Sequence, residues 1–146
     1  MLLFAATGLT LNHASQIEAH PVVVDRQAQL PGAMLARKVG RGTMSATFAR
    51  LFGAEPTTLA TEKVLAALPT FWARYHDWCK AQVLVQTGGA NVTLHGYPAS
   101  QEVCTMVAAE LERIVELTGA SAVGCAQTQC VMAGAAACEY RLTWTR

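Results

Sequence analysis

The sequence predicts an α+β fold, with helices first and then an antiparallel sheet that carries a further helix. Two observations predict it. Apolar residues recur at helical spacing as far as Cys79, and from Ala81 the period changes to alternation. Beyond that change the elements read β-β-α-β-β, punctuated by Gly88-Gly89, Pro98 and Gly119. The 146 residues fit a single domain, 1–146, with a mainly helical part over 1–80 and the β-β-α-β-β part over 81–146.

Residues 1–31 are the least legible. Leu2-Leu3-Phe4 reads as an edge strand or docking segment, Val22-Val23-Val24 as a short strand, and Pro31-Gly32 as a break. A short helix is expected over 33–38, ended by Gly40 and Gly42. Thr43 then caps a second helix through Leu51, with Met44, Phe48 and Leu51 inward and Gly53 just past its end. A longer helix, 61–79, carries Leu65, Leu68, Phe71, Trp72, Tyr75 and Cys79 near one stripe, and Pro69 should kink or split it.

Val83 and Val85 then alternate with Gln82, Leu84 and Gln86 in a strand with two partly covered faces. Gly88-Gly89 signals a hairpin. The returning strand, 90–97, sets Val92 and Leu94 on one face and Thr93, His95 and Tyr97 on the other. Ser100 is a good N-cap for a helix over 100–118, with Val103, Val107, Leu111, Ile114 and Thr118 inward. Glu110, Glu112, Arg113 and Glu116 belong on its outer side. Strands over 122–130 and 138–145 close the pattern, the second with Tyr140, Leu142 and Trp144 on one face.

Composition excludes several classes. A net charge of +1 offers no field for nucleic acid or an acidic membrane. With 14% charged and 52% hydrophobic residues, the surface favours self-association, here a homodimer, or a bound partner. No apolar stretch reaches the roughly 20 residues that span a bilayer, and no basic residue precedes Arg26, so the start does not read as a secretory signal. Five cysteines without the density of a disulfide scaffold imply reduced thiols in a cytoplasm.

Cys104, Cys130 and Cys138 carry the strongest chemical signal. Cys130 and Cys138 bracket a small-residue turn between strands, and Cys104 falls on the first turn of a helix. Thiolates converging from those places suit a tetrahedral metal, zinc being the usual occupant. The competing reading is three structural thiols acting as small hydrophobes.

Residues 83–146 resemble the ligand-binding domain of the 4-vinyl-reductase type and a related uncharacterised family abundant in myxobacteria. The likeness is carried by Gly96-Tyr97-Pro98, Cys104, Leu117-Thr118-Gly119-Ala120 and the run from Gly134 through Cys138-Glu139-Tyr140-Arg141-Leu142-Thr143-Trp144. It implies the fold of transport-particle subunits and haem–nitric-oxide sensors, and a sensing or partner-binding module. Phenol-sensing members hold one zinc through a helix cysteine, a glutamate three residues before a second cysteine, and a third cysteine on the final strand. These positions fall on Cys104, Gln127, Cys130 and Cys138. Glutamine is a poor zinc ligand. Cys125 is a neighbouring substitute.

Phe71, Trp72, Tyr75, His95 and Tyr97 are the candidate lining of an apolar ligand cavity. His76 within the aromatic run invites a haem-ligand reading, set against a plain surface histidine. Arg37, Lys38, Arg41 and Arg50 form a basic cluster that either meets an acidic partner or is a solvated face. Gly40-Arg41-Gly42 lacks the phosphate-loop pattern, and no spacing suggests a triad or paired carboxylates. The expectation is a non-enzymatic sensory or regulatory module for a small apolar ligand. The competing expectation is a dimeric scaffold or adaptor that binds protein partners.

Overall fold

The computed structural model describes residues 29–53 and 59–146. Helices α1 (Gln29–Phe52) and α2 (Thr61–Tyr75) precede strands β1 (Lys80–Gln86) and β2 (Gly89–His95). Helix α3 (Gln101–Leu117), β3 (Ser121–Gln129), a 3₁₀ turn at Val131–Ala133 and β4 (Cys138–Thr145) follow. The four strands form one antiparallel sheet in the order β1-β2-β4-β3, so the fold is α+β as expected. The expected strands at Leu2-Leu3-Phe4 and Val22-Val23-Val24 lie outside the described residues.

Alternation fixes which face of the sheet is covered. Val92 pairs with Tyr140, Ala90 with Leu142 and Leu94 with Cys138 across β2 and β4, and all six are buried. Facing residues of paired strands share a side, so these pairs form the floor of the core. Arg141, Thr143 and Thr145 point the other way and are exposed. The β1–β2 turn uses Thr87 and Gly88, Gln86 pairing with Gly89. Gly88 takes the left-handed φ of +68°, so Gly89 opens β2 rather than turning.

Above the floor lie Val103, Val107, Leu111 and Ile114 of α3 and Val64, Leu65 and Leu68 of α2. The Ser100 side chain accepts from the Val103 N–H at 3.2 Å and starts α3. α3 is buried on more sides than one stripe accounts for. Met106, Ala109, Glu110 and Val115 are also buried, because α1 packs on α3 opposite the sheet. Glu110 was expected outside and lies inside.

The two expected helices at 33–38 and 43–51 are one helix. Gly40 does not stop it. A Cβ there would lie 2.5 Å from the Met106 carbonyl oxygen, so glycine permits close approach of α1 to α3. Thr43 is not a cap; its hydroxyl donates to the Val39 carbonyl at 2.6 Å within the helix. Pro31 sits in the first turn, where its missing N–H costs no helical bond. Gly53 does end the helix, with φ +66° and its N–H on the Ala49 carbonyl at 2.8 Å. Met44, Phe48 and Leu51 point into the core.

α2 ends at Tyr75, four residues earlier than expected, where His76 leaves the helix with φ −134°. Pro69 lies inside it without splitting it, a single helix running through. Arg37 and Arg41, expected to meet solvent or an acidic partner, face Glu112 and Glu116 of α3. Arg37 meets Glu112 at 2.6 Å, and Arg41 spans both oxygens of Glu116 at 2.6 and 3.1 Å. Among the described residues no helix is long and apolar enough to cross a membrane.

Candidate functional site

Three chain positions bring the thiols together. Cys104 lies in the first turn of α3, its N–H on the Ser100 carbonyl at 2.9 Å. Cys130 leaves β3 extended, and its carbonyl accepts from Ala133 and Ala135 at 3.0 and 3.2 Å as the 3₁₀ turn folds back. Gly134 completes that reversal at φ +89°, and Cys138 begins β4. The three Sγ atoms all lie within 4.8 Å of one another. Sulfur atoms on a tetrahedral zinc with bonds of about 2.3 Å are about 3.8 Å apart, so small side-chain rotations close the difference.

The thiols differ in setting. Cys104 and Cys138 are buried and Cys130 is half-buried. Hydrogen bonding from the Met132 N–H, then from the Cys138 and Cys104 thiols and the Ala133 N–H, holds the Cys130 thiol below its ordinary pKa. Burial pushes Cys138 up to about 11. A cation among the three would reverse that cost and hold all of them as thiolates. The donor set therefore fits a soft divalent metal with three sulfur ligands and a fourth position to fill.

Gln127 and Cys125 take different places around it. Gln127 is exposed and lines, with Cys130, Thr128 and Ala133, an open groove of about 390 Å³. Cys125 pairs with Leu142, four residues along β4 from Cys138, and stands apart from the three-thiol group. Burial first, then the Glu112 carboxylate, pushes the Cys125 thiol up to about 12. The buried hydroxyls of Tyr97 and Tyr140 lie close by, Tyr140 beside the Cys104 thiol.

A second feature lies between the three helices. Met44, Leu51 and Phe52 of α1, Leu68, Phe71 and Trp72 of α2, and Val107, Glu110, Leu111 and Ile114 of α3 surround a void of about 20 Å³. That is room for about one water molecule. Its lining is apolar except for Glu110. Burial raises the Glu110 carboxyl to about 8.

The five residues expected to line a ligand cavity separate. Phe71 and Trp72 line the void. Tyr75 is half-buried at the end of α2 and outside that lining. Tyr97 is buried because Gly96, at φ +73°, breaks the alternation and turns it inward. Its ring lies 5.6 Å from Trp72 and 5.8 Å from Trp78. His95 keeps to the open face, exposed and 3.2 Å from the Gln82 side chain, so it does not share a face with Tyr97.

His76 is not a surface residue. It is 3% exposed, with its ring 4.6 Å from Trp72 and 5.1 Å from Trp78, and burial lowers its pKa to about 4. The sequence reading also missed Glu110 as an interior group. The available signal was its spacing from Met106, Val107 and Ile114, which places it among apolar residues on three sides.

Residues 1–93 match a family described as putative PepSY_TM-like. This match and the stretch 83–146 that resembles the 4-vinyl-reductase type share only residues 83–93, none of them among the motifs that carry that resemblance. No curated protein matches the chain. Among solved structures, a trafficking protein particle complex subunit 3 from Naegleria fowleri, covalently bound to palmitic acid, aligns with a TM-score of 0.60 at 11% identity. The alignment covers 99% of this chain and 94% of that one. A mutant H-NOX from T. tengcongensis aligns at 0.59 and 10% identity over 82% of this chain and 68% of that one. An oxygen-binding H-NOX domain related to soluble guanylate cyclases aligns at 0.57 and 10%, over 82% and 66%. At these identities the likeness is one of fold.

Proposed function

The chain belongs to the putative PepSY_TM-like family, and we propose that it is a non-catalytic sensory or regulatory module that takes a small apolar ligand between α1, α2 and α3. The observation that carries this is the three-helix lining, which converges on a void walled almost wholly by apolar atoms, Phe52, Phe71 and Trp72 among them. Concave apolar sites with a few placed polar groups are where small molecules bind. As it stands the void has room for about one water molecule, so taking up such a ligand requires its lining side chains to move apart.

In the same reading Cys104, Cys130 and Cys138 hold a zinc ion, as the 4-vinyl-reductase-type resemblance implies, with Gln127 no substitute for the glutamate of that family. Such an ion would tie the start of α3 to the start of β4 and keep the helix layer seated on the sheet. The reading places the protein in the cytoplasm. The H-NOX and trafficking-subunit likenesses support a ligand-binding or partner-binding use of this fold.

Titrating purified protein with small hydrocarbons such as toluene, while following tryptophan fluorescence and melting temperature, tests the reading. Saturable quenching with a raised melting temperature is expected. An unchanged signal across the whole panel would overturn it.

A second reading has its own observation. Met34, Leu35 and Val39 are 70%, 61% and 40% exposed on the outer side of α1. Apolar side chains clustered in this way suit a protein partner or a second copy. A homodimer by native mass spectrometry that takes none of the apolar probes would favour the adaptor.

A further inference from the structure

The open end of the β3–β4 ladder sets two thiols face to face. Gln129 pairs with Glu139, so one step past that pair Cys130 comes opposite Cys138. Facing residues of an antiparallel ladder keep their Cα atoms about 4.5–5.5 Å apart, within the roughly 4.4–6.8 Å that a disulfide spans. The two Sγ atoms, with that of Cys104, lie within 4.8 Å of one another. All three are free thiols.

The thiols differ in access. Cys104 and Cys138 are buried, while Cys130 is half-buried and opens on the groove lined by Gln127, Thr128, Ala133 and Ala135. A small polar solute in that groove therefore meets the Cys130 sulfur first. The backbone of the 3₁₀ turn is aimed at the same atoms. The Met132 and Ala133 N–H groups hydrogen-bond to the Cys130 sulfur, and the Val131 N–H to that of Cys138. Successive N–H groups converging on one atom suit a negatively charged sulfur, the form that attacks a peroxide.

We propose that Cys130 is a peroxide-reactive thiol and that Cys138 resolves it, closing a disulfide between the end of β3 and the start of β4. In the first step the Cys130 thiolate attacks one oxygen of hydrogen peroxide. An S–O bond forms, the O–O bond breaks and hydroxide leaves, so that Cys130 becomes a sulfenic acid. In the second step the Cys138 sulfur attacks that of Cys130. The S–S bond forms, the S–O bond breaks, and the hydroxyl departs with the Cys138 proton as water. The thiol pair loses two electrons and the peroxide gains them.

Strand pairing selects Cys138 over Cys104 as the partner. Cys104 comes from α3, and no ladder holds it opposite Cys130. The other two thiols are placed elsewhere. Cys125 pairs with Leu142, and the Trp72 Nε1–H donates to the Cys79 sulfur at 3.4 Å. The bond consumes two of the three clustered sulfurs, so it and an ion at this site exclude one another. The proposal needs neither an ion there nor a ligand between the helices.

Peptide mapping of the full chain tests it. Reduced protein, freed of metal by a chelator, is treated with hydrogen peroxide, alkylated with iodoacetamide and cut with trypsin. Cleavage after Lys80, Arg113 and Arg141 leaves Cys104 in the peptide 81–113, and Cys125, Cys130 and Cys138 together in 114–141. Peptide 114–141 should lose two hydrogens, with fragmentation placing the bond between Cys130 and Cys138, while Cys79, Cys104 and Cys125 are alkylated. Dithiothreitol should restore both thiols. Cys138→Ser should stop Cys130 at the sulfenic acid, trapped by dimedone, and Cys130→Ser should leave Cys104 and Cys138 reduced. A cross-link between the two peptides, a bond through Cys125, or no bond at all would overturn the proposal. So would a Cys104–Cys138 bond formed in Cys130→Ser, since Cys130 would then not be the point of attack. The mapping uses the unaltered protein, so a poorly folding variant leaves the test intact.

Discussion

Gly40 of α1 and the carbonyl of Met106 in α3 are in such close register that no side chain fits between them. The Cβ of an alanine at 40 would lie 2.5 Å from that oxygen. The obstacle is backbone, which cannot rotate away, so α1 must lift. Gly40→Ala is expected to destabilise by about 1–3 kcal/mol, as overpacking does. Gly42→Ala meets nothing within 4 Å and should stabilise by about 0.5–1 kcal/mol through helix propensity. Urea denaturation of both variants checks the contrast, and equal effects would refute the close approach.

Glu110 and His76 give opposite pH dependences with separable windows. Glu110 is raised from 4.5 to about 8, so between those values the folded state holds a proton that the unfolded state has lost. Stability therefore falls as pH rises through that window, by at most about 1.4 kcal/mol per unit. His76 is lowered from 6.5 to about 4, so between those values the unfolded state holds the extra proton. Its contribution rises with pH up to 6.5. The two oppose one another from about 4.5 to 6.5, and the Glu110 slope emerges alone from 6.5 to 8. Melting curves across pH 5–9 should show it, and Glu110→Gln should abolish the fall above pH 6.5.

The thiol cluster predicts a metal dependence. If zinc is held, its binding energy is folding energy. Cys130→Ser and chelation should then each destabilise the fold by more than the roughly 1 kcal/mol of an ordinary small core substitution, and lower the melting temperature accordingly. Cys125→Ser, on a thiol outside the group, should not respond to chelator differently from the unaltered protein. Elemental analysis is decisive: less than about a tenth of a zinc per chain would exclude a closed structural site.

Arg41 and Glu116 join α1 to α3 through two hydrogen bonds at 2.6 and 3.1 Å, with Arg113 also on Glu116 at 3.1 Å. Both partners remain partly exposed, at 35% and 28%. A double-mutant cycle should return about 0.5 kcal/mol, falling further in high salt. A coupling above about 2 kcal/mol would mean that the pair is desolvated, contrary to its exposure.

Much of the sheet was legible because alternation and turn chemistry are local. β4 runs over the residues its alternation marked, and Ser100 caps α3 through an interaction three residues away. The thiols meet because two of them bracket a reversal and the third opens the helix above it. Other positions were decided by distant parts of the chain. Gly40 reads as a helix stop, since the same absent side chain that weakens a helix also permits close packing. Glu110 reads as solvated because one helix's period assumes one covered side, and α3 has two. Tyr97 left the face of His95 through the left-handed turn at Gly96.

The sheet order β1-β2-β4-β3 puts the latest strand in the chain between two earlier ones. As the polypeptide leaves the ribosome, β1 and β2 can pair as a hairpin, but β2 and β3 each keep one row of amides and carbonyls unmet until residues 138–145 arrive. Open edges of this kind recruit other chains. The newborn protein is thus most prone to aggregation in the interval before β4 emerges, when a holding chaperone would have most effect. One late strand then seals both edges at once and buries Tyr140, Leu142 and Trp144 beneath the helices.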